Sequence, residues 1–152
     1  MTKIDIAAVP MRTGSIYPPP HDAEVAGRRS QRLGDAGGLT QFGANLVHLP
    51  PGAKSSMRHW HEVEDEFVWV TAGVLVMVTD AGETEMRAGD CAAFPAGSGD
   101  GHHFINRSGA EASFLVVGSR AAREVAHYPD QGLKVEIAEG RATFLREDGS
   151  PL

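Results

Sequence analysis

The sequence predicts an all-β protein, a jelly roll or small barrel of antiparallel strands with an N-terminal arm and a C-terminal β-hairpin. Short β-type runs recur about every ten residues through the middle of the chain. Turn signals separate these runs, and the chain contains 18 glycines and 9 prolines. Long helical patterns are absent from the sequence. The 152 residues fit a single domain with a sizeable core.

The arm, residues 1–38, shows no clean hydrophobic period. It contains three consecutive prolines at positions 18–20 and a basic patch formed by Arg28, Arg29 and Arg32. We expect the arm to lie across the domain and to contribute one short strand. A flexible, solvated tail is the alternative.

The barrel is predicted over residues 39–120, and residues 121–152 form a C-terminal extension of the same domain. Two β-type runs in this extension flank Glu139 and Gly140, a pattern typical of a hairpin. The eight predicted strands of the barrel cover residues 40–49, 55–60, 66–70, 74–80, 83–88, 90–95, 102–106 and 112–118.

Two predicted strands, residues 66–70 and 74–80, are apolar on both faces. Val68 and Val70 alternate with Phe67 and Trp69, and we assign the valines to the barrel interior. An antiparallel sheet with one face in water shows apolar residues on one face only. The outer face is therefore expected to be covered, either by a second subunit in a homodimer, which we favour, or by the arm of the same chain.

Charge and composition exclude several functions. The net charge of −6 argues against a nucleic-acid partner and against an anionic membrane surface. No apolar run is long enough to span a membrane, and the first residues lack the apolar stretch of a signal peptide. Cys91 is the single cysteine, so no intrachain disulfide can form, and we expect it to be a small buried hydrophobe. Together these features predict a cytoplasmic protein.

Two histidines separated by one residue are the first indication of a metal site. His59 and His61 fall on one predicted strand, where residues i and i+2 project to the same side, so both imidazoles can grip one metal ion. Glu66 begins the next strand after a short turn and is a candidate third ligand. Asp65 has the opposite parity. Glu62 and Glu64 are assigned to a solvated turn or to groups that orient an imidazole.

A second cluster begins at a glycine-rich loop, residues 97–101. His102 and His103 follow it and start a strand, so they face opposite sides, and the parity alone does not say which of them joins the first pair. The glycines do not indicate a phosphate-binding loop, because a β-type run rather than a helix follows them.

The first stretch resembles the first motif of the cupin family, which reads glycine, His-x-His, three or four residues, glutamate, six residues and glycine. Its matching residues here are Gly52, His59, His61, Glu66 and Gly73. Gly52 lies one residue farther from His59 than is usual in the family.

The second stretch resembles the second cupin motif, which reads glycine, five residues, Pro-x-Gly, a gap, histidine, three residues and asparagine. Its matching residues here are Gly89, Pro95, Gly97, His102 and Asn106. The gap before the histidine is longer than usual, and the spacing to Asn106 selects His102 over His103. The chain is thus similar to small single-domain bacterial cupins, some of which are described as sugar phosphate isomerase-like.

The resemblance implies a double-stranded β-helix that holds one divalent transition metal. Three imidazoles and a carboxylate suit Fe, Mn, Ni, Zn or Cu rather than calcium, and the sequence does not select among them. The implied ligands are His59, His61, Glu66 and His102.

Around this site, Asn106 is expected to support the second motif by side-chain hydrogen bonds. Candidate pocket residues are Met77, Phe94 and Phe104. His21, His48 and His127 are assigned no function.

The implied function is that of a metal-dependent enzyme acting on a small polar molecule such as a sugar or sugar phosphate, by isomerase, dioxygenase or lyase chemistry. The alternative is a non-catalytic cupin that binds or senses a small ligand. Because fold does not choose between them, the distinction has to come from the site.

Overall fold

The computed structural model describes residues 3–152 and consists mainly of antiparallel β-strands. Its strands are β1 (Arg12–Thr13), β2 (Arg29–Arg32), β3 (Phe42–Leu49), β4 (Trp60–His61), β5 (Glu66–Ala72), β6 (Val74–Thr79), β7 (Gly82–Arg87), β8 (Cys91–Phe94), β9 (His103–Ile105), β10 (Ala112–Ser119), β11 (Arg123–Tyr128), β12 (Leu133–Ala138) and β13 (Arg141–Arg146). Its helical segments are α1 (Leu33–Ala36) and two 3₁₀ turns, Ile6–Ala8 and His21–Val25. Within residues 3–152, no helix has the length and apolar character needed to cross a bilayer.

The strands form three sheets, and the predicted all-β jelly roll is confirmed. A six-stranded sheet runs in the order β1-β2-β3-β10-β5-β8, a three-stranded sheet in the order β7-β6-β9, and a four-stranded sheet in the order β13-β12-β11-β4. The main core joins the first two sheets, because Val47, Val70 and Phe114 of the large sheet pack with Leu75 and Phe104 of the small one. The site described below opens between these sheets.

The alternation along β5 fixes which face of the large sheet is the interior. Val68 and Val70 are 1% and 0% exposed, whereas Phe67 and Trp69 are 43% and 45% exposed. Glu66 shares the parity of the valines, so β5 directs its carboxylate into the barrel. The predicted orientation of this strand is therefore correct.

The arm adds two strands to the edge of the large sheet rather than one. β2 pairs with β3, and β1 pairs with β2. The short helix α1 then folds against β3, where a Cβ built on Gly34 would lie 2.9 Å from the backbone nitrogen of Ala44. Only glycine permits this approach. The arm thus covers part of the sheet around β3 and leaves Phe67 and Trp69 of β5 exposed.

The predicted strand over residues 55–60 is mostly wrong. Only Trp60 and His61 form a strand, and the preceding residues bend between two isolated bridges, which join Lys54 to Ile105 and His59 to His102. The serines explain the bends. Ser55 Oγ accepts a hydrogen bond from the Phe104 backbone, and Ser56 Oγ lies 3.3 Å from His59 Nδ1, so side chains replace ladder bonds here.

Cys91 also departs from its prediction, because it is exposed rather than buried. It pairs with Trp69 across β8 and β5, so it shares the outward parity of Trp69. β8 is an edge strand of the large sheet, and no other strand of the described chain covers it there.

The predicted C-terminal hairpin is confirmed. β12 and β13 are joined at Glu139 and Gly140, whose φ angles of 54° and 75° are those of a tight type I′ turn. The hairpin extends the sheet that contains β11 and β4, and a second core forms behind it around Met57, Tyr128 and Val135. This packing places β4, with His61, on the wall of the barrel.

Candidate metal centre

Three parts of the chain bring four polar side chains together inside the barrel. His59 immediately precedes β4 and His61 lies in it, Glu66 begins β5, and His102 immediately precedes β9. The Glu66 Oε2 atom is 2.8 Å from His102 Nε2 and 3.9 Å from His59 Nε2. The ring centre of His59 lies 5.0 Å from that of His61 and 4.8 Å from that of His102. His59, His61 and Glu66 thus meet at one place, and His102 joins them through its contacts with Glu66 and His59.

A backbone bridge holds the two histidine segments together. The His59 amide donates to the His102 carbonyl at 3.1 Å, and the His102 amide donates back to the His59 carbonyl at 2.8 Å. Because these bonds are made by the backbone, both imidazoles stay free to face Glu66. The two sequence clusters are therefore joined directly.

The protonation of His59 and Glu66 suits metal ligation. Burial lowers the pKa of His59 to about 3, so its imidazole is neutral. Its Nδ1 atom lies 2.9 Å from the Met57 carbonyl, which makes Nδ1 the donor and leaves the Nε2 lone pair facing Glu66. Burial opposes ionisation of Glu66, but the hydrogen bond from His102 and the nearby histidines outweigh it and lower its pKa to about 2.

The separations also fit a shared ion. Ligand atoms of His59, His61 and Glu66 all lie within 4.8 Å of one another, so this group could hold a metal. Donors bound about 2.1 Å from one ion stand roughly 3 Å apart when adjacent and roughly 4 Å apart when opposite. The observed 2.8 Å and 3.9 Å between Glu66 and the two histidines are close to these values.

The surrounding predicted residues take different positions. Phe94 stacks on the His102 ring at 3.5 Å and 6°, so it fixes the plane of that imidazole. Phe104 lines the cavity beside the site, whereas Met77 packs against the main core. Asn106 is fully buried and donates at 2.7 Å to the carbonyls of Leu49 and Ala110, which ties down the chain beyond β9.

The neighbouring charged residues lie outside this cluster. His103 is buried next to His102, but adjacent residues of a strand face opposite sides, and His103 pairs with Val78 of β6. Asp65 accepts a hydrogen bond from the Ala96 amide at 2.8 Å and so holds a loop. Neither residue is gathered into the ligand cluster.

A cavity of about 570 Å³ opens at the four-residue cluster. His59, Glu66 and His102 form part of its wall, and Val68, Phe104 and Phe114 give it an apolar floor. The arm supplies ten further lining residues: Arg12, Thr13, Gly14, Ser15, Ile16, Tyr17, Val25, Arg28, Ser30 and Arg32. The arm therefore builds part of the site.

The comparisons with known proteins agree with this geometry. A family model described as "Cupin domain" matches residues 45–118, which contain both histidine clusters. A crystal structure of a sugar phosphate isomerase of the cupin superfamily from Silicibacter pomeroyi is 55% identical, with a TM-score of 0.98, over 99% of this chain and 96% of that one. The chain belongs to the cupin superfamily. No match was found among functionally curated proteins.

Two further structures resemble this cupin less closely. A protein provisionally assigned as a sugar phosphate isomerase from Acidithiobacillus ferrooxidans is 27% identical, with a TM-score of 0.76, over 82% of this chain and 80% of that one. The polyketide cyclase RemF from Streptomyces resistomycificus is 22% identical, with a TM-score of 0.63, over 78% and 79% of the two chains. The last similarity shows the shared fold alone.

Glu124 is a site residue of this cupin that the sequence did not reveal. Its buried carboxylate, 2% exposed, accepts hydrogen bonds from three consecutive backbone amides, those of Glu62, Val63 and Glu64, at 2.6–3.3 Å. It also accepts one from the Val125 amide at 2.7 Å. These bonds fix the loop between the two candidate ligands His61 and Glu66. The residue comes from β11, about sixty positions away, and no local pattern links it to the loop.

The arginines of the arm were also missed as site residues. The sequence shows a basic patch but not which face of the sheet its side chains occupy. Arg28, Ser30 and Arg32 alternate with Arg29 and Gln31, and an i, i+2 pattern places them on one face of a strand. Because β2 pairs with β3 at the edge of the barrel, that face is the inner one.

Proposed function

We propose that this cupin is a metal-dependent enzyme that acts on a small polar molecule such as a sugar or sugar phosphate. The observation that carries the proposal is the cluster of His59, His61, Glu66 and His102, three of which, His59, Glu66 and His102, form part of the wall of one cavity. The similarity to the sugar phosphate isomerase of Silicibacter pomeroyi favours isomerase chemistry over the dioxygenase and lyase chemistries that occur on this fold.

The four side chains would hold one divalent transition metal, whose identity the ligand types do not select. Such an ion supplies a Lewis acid that polarises a hydroxyl or carbonyl oxygen. The protein's own contribution is positional. The Met57 carbonyl and the Phe94 ring orient the imidazoles of His59 and His102, and Phe104 and Phe114 give the cavity apolar surface beside them.

Turnover assays on metal-loaded protein test this proposal. We expect at least one sugar phosphate in a panel of sugars, sugar phosphates and small phenols to be converted, with conversion lost in Glu66→Gln, which removes the anionic ligand. Product is followed by NMR, and an oxygen electrode identifies any dioxygenase reaction. A ligand-dependent rise in melting temperature without product for any compound would contradict enzymatic function and support a binding or sensing cupin.

We also propose that this cupin forms a homodimer through the outer face of β5. Phe67 and Trp69 are 43% and 45% exposed there and neighbour Val117 and Ala93 on the flanking strands. This patch carries no charged side chain, so the same surface on a second copy is complementary to it around a two-fold axis. A cytoplasmic location remains a prediction from the sequence features given above taken together.

Trp69→Glu is expected to convert the dimer to a monomer. A charge at the centre of an apolar contact stays unpaired on association and opposes it. Sedimentation velocity at micromolar concentration measures the change, and Thr84→Glu, an exposed position on β7, is the matched control that should remain dimeric. A wild-type protein that sediments as a monomer, or a dimeric Trp69→Glu variant, would contradict this interface.

A further inference from the structure

Three arginines from the arm line the same cavity as the candidate metal ligands. Arg28 and Arg32 flank Ser30 on the inward face of β2, and Arg12 pairs with Ser30 from β1. The Asn45 side chain on β3, directly opposite Arg32, also lines this part of the cavity. The chain as a whole carries a net charge of −6. A cluster of guanidinium groups along the wall of its cavity is therefore a local reversal of the sign of the charge.

These arginines are poorly paired with acids. Among residues 3–152, no carboxylate forms an ion pair with Arg28 or Arg12, and Arg32 reaches only Asp35, at 3.6 Å. By contrast Arg29, on the outward face of the same strand, forms an ion pair with Glu111. A half-buried cation without a partner, such as Arg28, destabilises a fold. The position of Arg28 is thus explained better by a bound ligand than by a contribution to stability.

The surroundings of Arg28 agree with this reading. Burial lowers the pKa of Arg28, and the charge of Arg32 lowers it further, whereas the Glu66 carboxylate acts in the opposite direction. Glu66 and Arg28 therefore share one cavity and influence each other. An anion beside Arg28 and Arg32 would relieve their mutual repulsion.

We propose that Arg28, with Arg12 and Arg32, binds the phosphate group of the substrate. The inference rests on the function proposed above and names the part of the ligand that faces the arm. A phosphate monoester carries a charge of about −1.5 to −2 at neutral pH and needs more than one cation, whereas a carboxylate carries a single charge. Guanidinium groups match its oxygens with forked, charge-assisted hydrogen bonds.

This arrangement gives the cavity two chemically different parts. The arginines hold the phosphate, and the four candidate ligands lie where the carbon chain of a small phosphorylated molecule would present its hydroxyl or carbonyl oxygens. Binding energy from the phosphate is then used to position the reacting oxygens. The arm residues 12–17 also line the cavity, so the phosphate is expected to hold this segment in place.

Titration calorimetry with inorganic phosphate tests the site. We expect Arg28→Gln to weaken phosphate binding at least tenfold and Arg12→Gln, at an exposed position, to weaken it by a smaller factor. Arg29→Gln, on the same strand but facing outward, is the matched control and should bind phosphate like the wild type. Acetate, titrated in parallel, distinguishes a carboxylate site from a phosphate site.

A second variant distinguishes phosphate that binds the arginines from phosphate that binds a metal ion. Phosphate can also bind a metal ion, so each titration is repeated on the His59→Ala/His61→Ala double variant, which we expect to retain phosphate binding. A melting temperature that rises in Arg28→Gln, as expected when an unpaired charge is removed, excludes misfolding as the cause of lost binding.

Several results would overturn the proposal. One is that Arg28→Gln and Arg29→Gln bind phosphate with equal affinity. Another is that the wild-type protein binds acetate as tightly as phosphate. A third is that the His59→Ala/His61→Ala double variant no longer binds phosphate. A protein that binds phosphate through Arg28 but holds no metal would overturn the proposed function and leave this site intact.

Discussion

Replacing His59 and His61 with alanine is expected to abolish metal binding while the barrel stays folded. Wild-type protein purified without added metal should contain close to one transition-metal ion per chain. Removing a group that only orients a ligand lowers metal affinity by roughly 10–100-fold. Losing two of the four proposed ligands should therefore lower metal affinity by more than that. The fold should persist because neither histidine belongs to the buried apolar cores.

Elemental analysis by mass spectrometry measures the metal, and circular dichroism measures the fold. His103→Gln is the matched control: His103 is buried beside His102 but, as its neighbour along the strand, faces the opposite side, so its loss should leave the metal content unchanged. If the double variant keeps its metal, or if His103→Gln loses it, the assignment of the ligands is wrong.

Glu124→Ala is expected to lower the free energy of unfolding by about 3–5 kcal/mol. The substitution removes the carboxylate that accepts from the amides of Val63, Glu64 and Val125, whereas the Glu62 amide keeps the Val125 carbonyl as an acceptor. The loop that these amides belong to connects His61 to Glu66. We therefore expect a loss of about 10–100-fold in metal affinity as well, the size seen when groups that position ligands are removed.

Urea denaturation gives the stability, and a competition titration with a chelator gives the metal affinity. Glu136→Ala is the control, because Glu136 is an exposed acid on the adjacent strand β12 and its loss should change the free energy of unfolding by less than about 0.5 kcal/mol. Equal stability of the Glu124 and Glu136 variants would show that the buried carboxylate does not organise the loop.

The barrel strands were largely predictable because their signals are local. Alternation in β5 assigns Val68 to the core and Trp69 to the surface from sequence alone, and the structure agrees. The prediction failed where side chains replaced ladder bonds, as at Ser55 and Ser56, and where edge position decided exposure, as at Cys91. Neither effect leaves a trace in hydrophobic periodicity.

The candidate ligands were predictable because two short motifs carry them. His59, His61 and Glu66 lie within eight residues, and the spacing to Asn106 points to His102. The groups around them were not predictable. Glu124 reaches the ligand loop from β11, and the arginines of the arm enter the cavity only because β2 adds to the edge of β3.

The sequence by itself thus determined the all-β fold, the strand parity and the four side chains proposed to hold a metal. These follow from the alternation of side chains along a strand and from spacings within single segments. Only the tertiary structure decided which face the arginines occupy, that Glu124 fixes the ligand loop, and that Phe67 and Trp69 stay uncovered by the arm. Such contacts join residues far apart in the chain, and their geometry depends on how the sheets pair and pack.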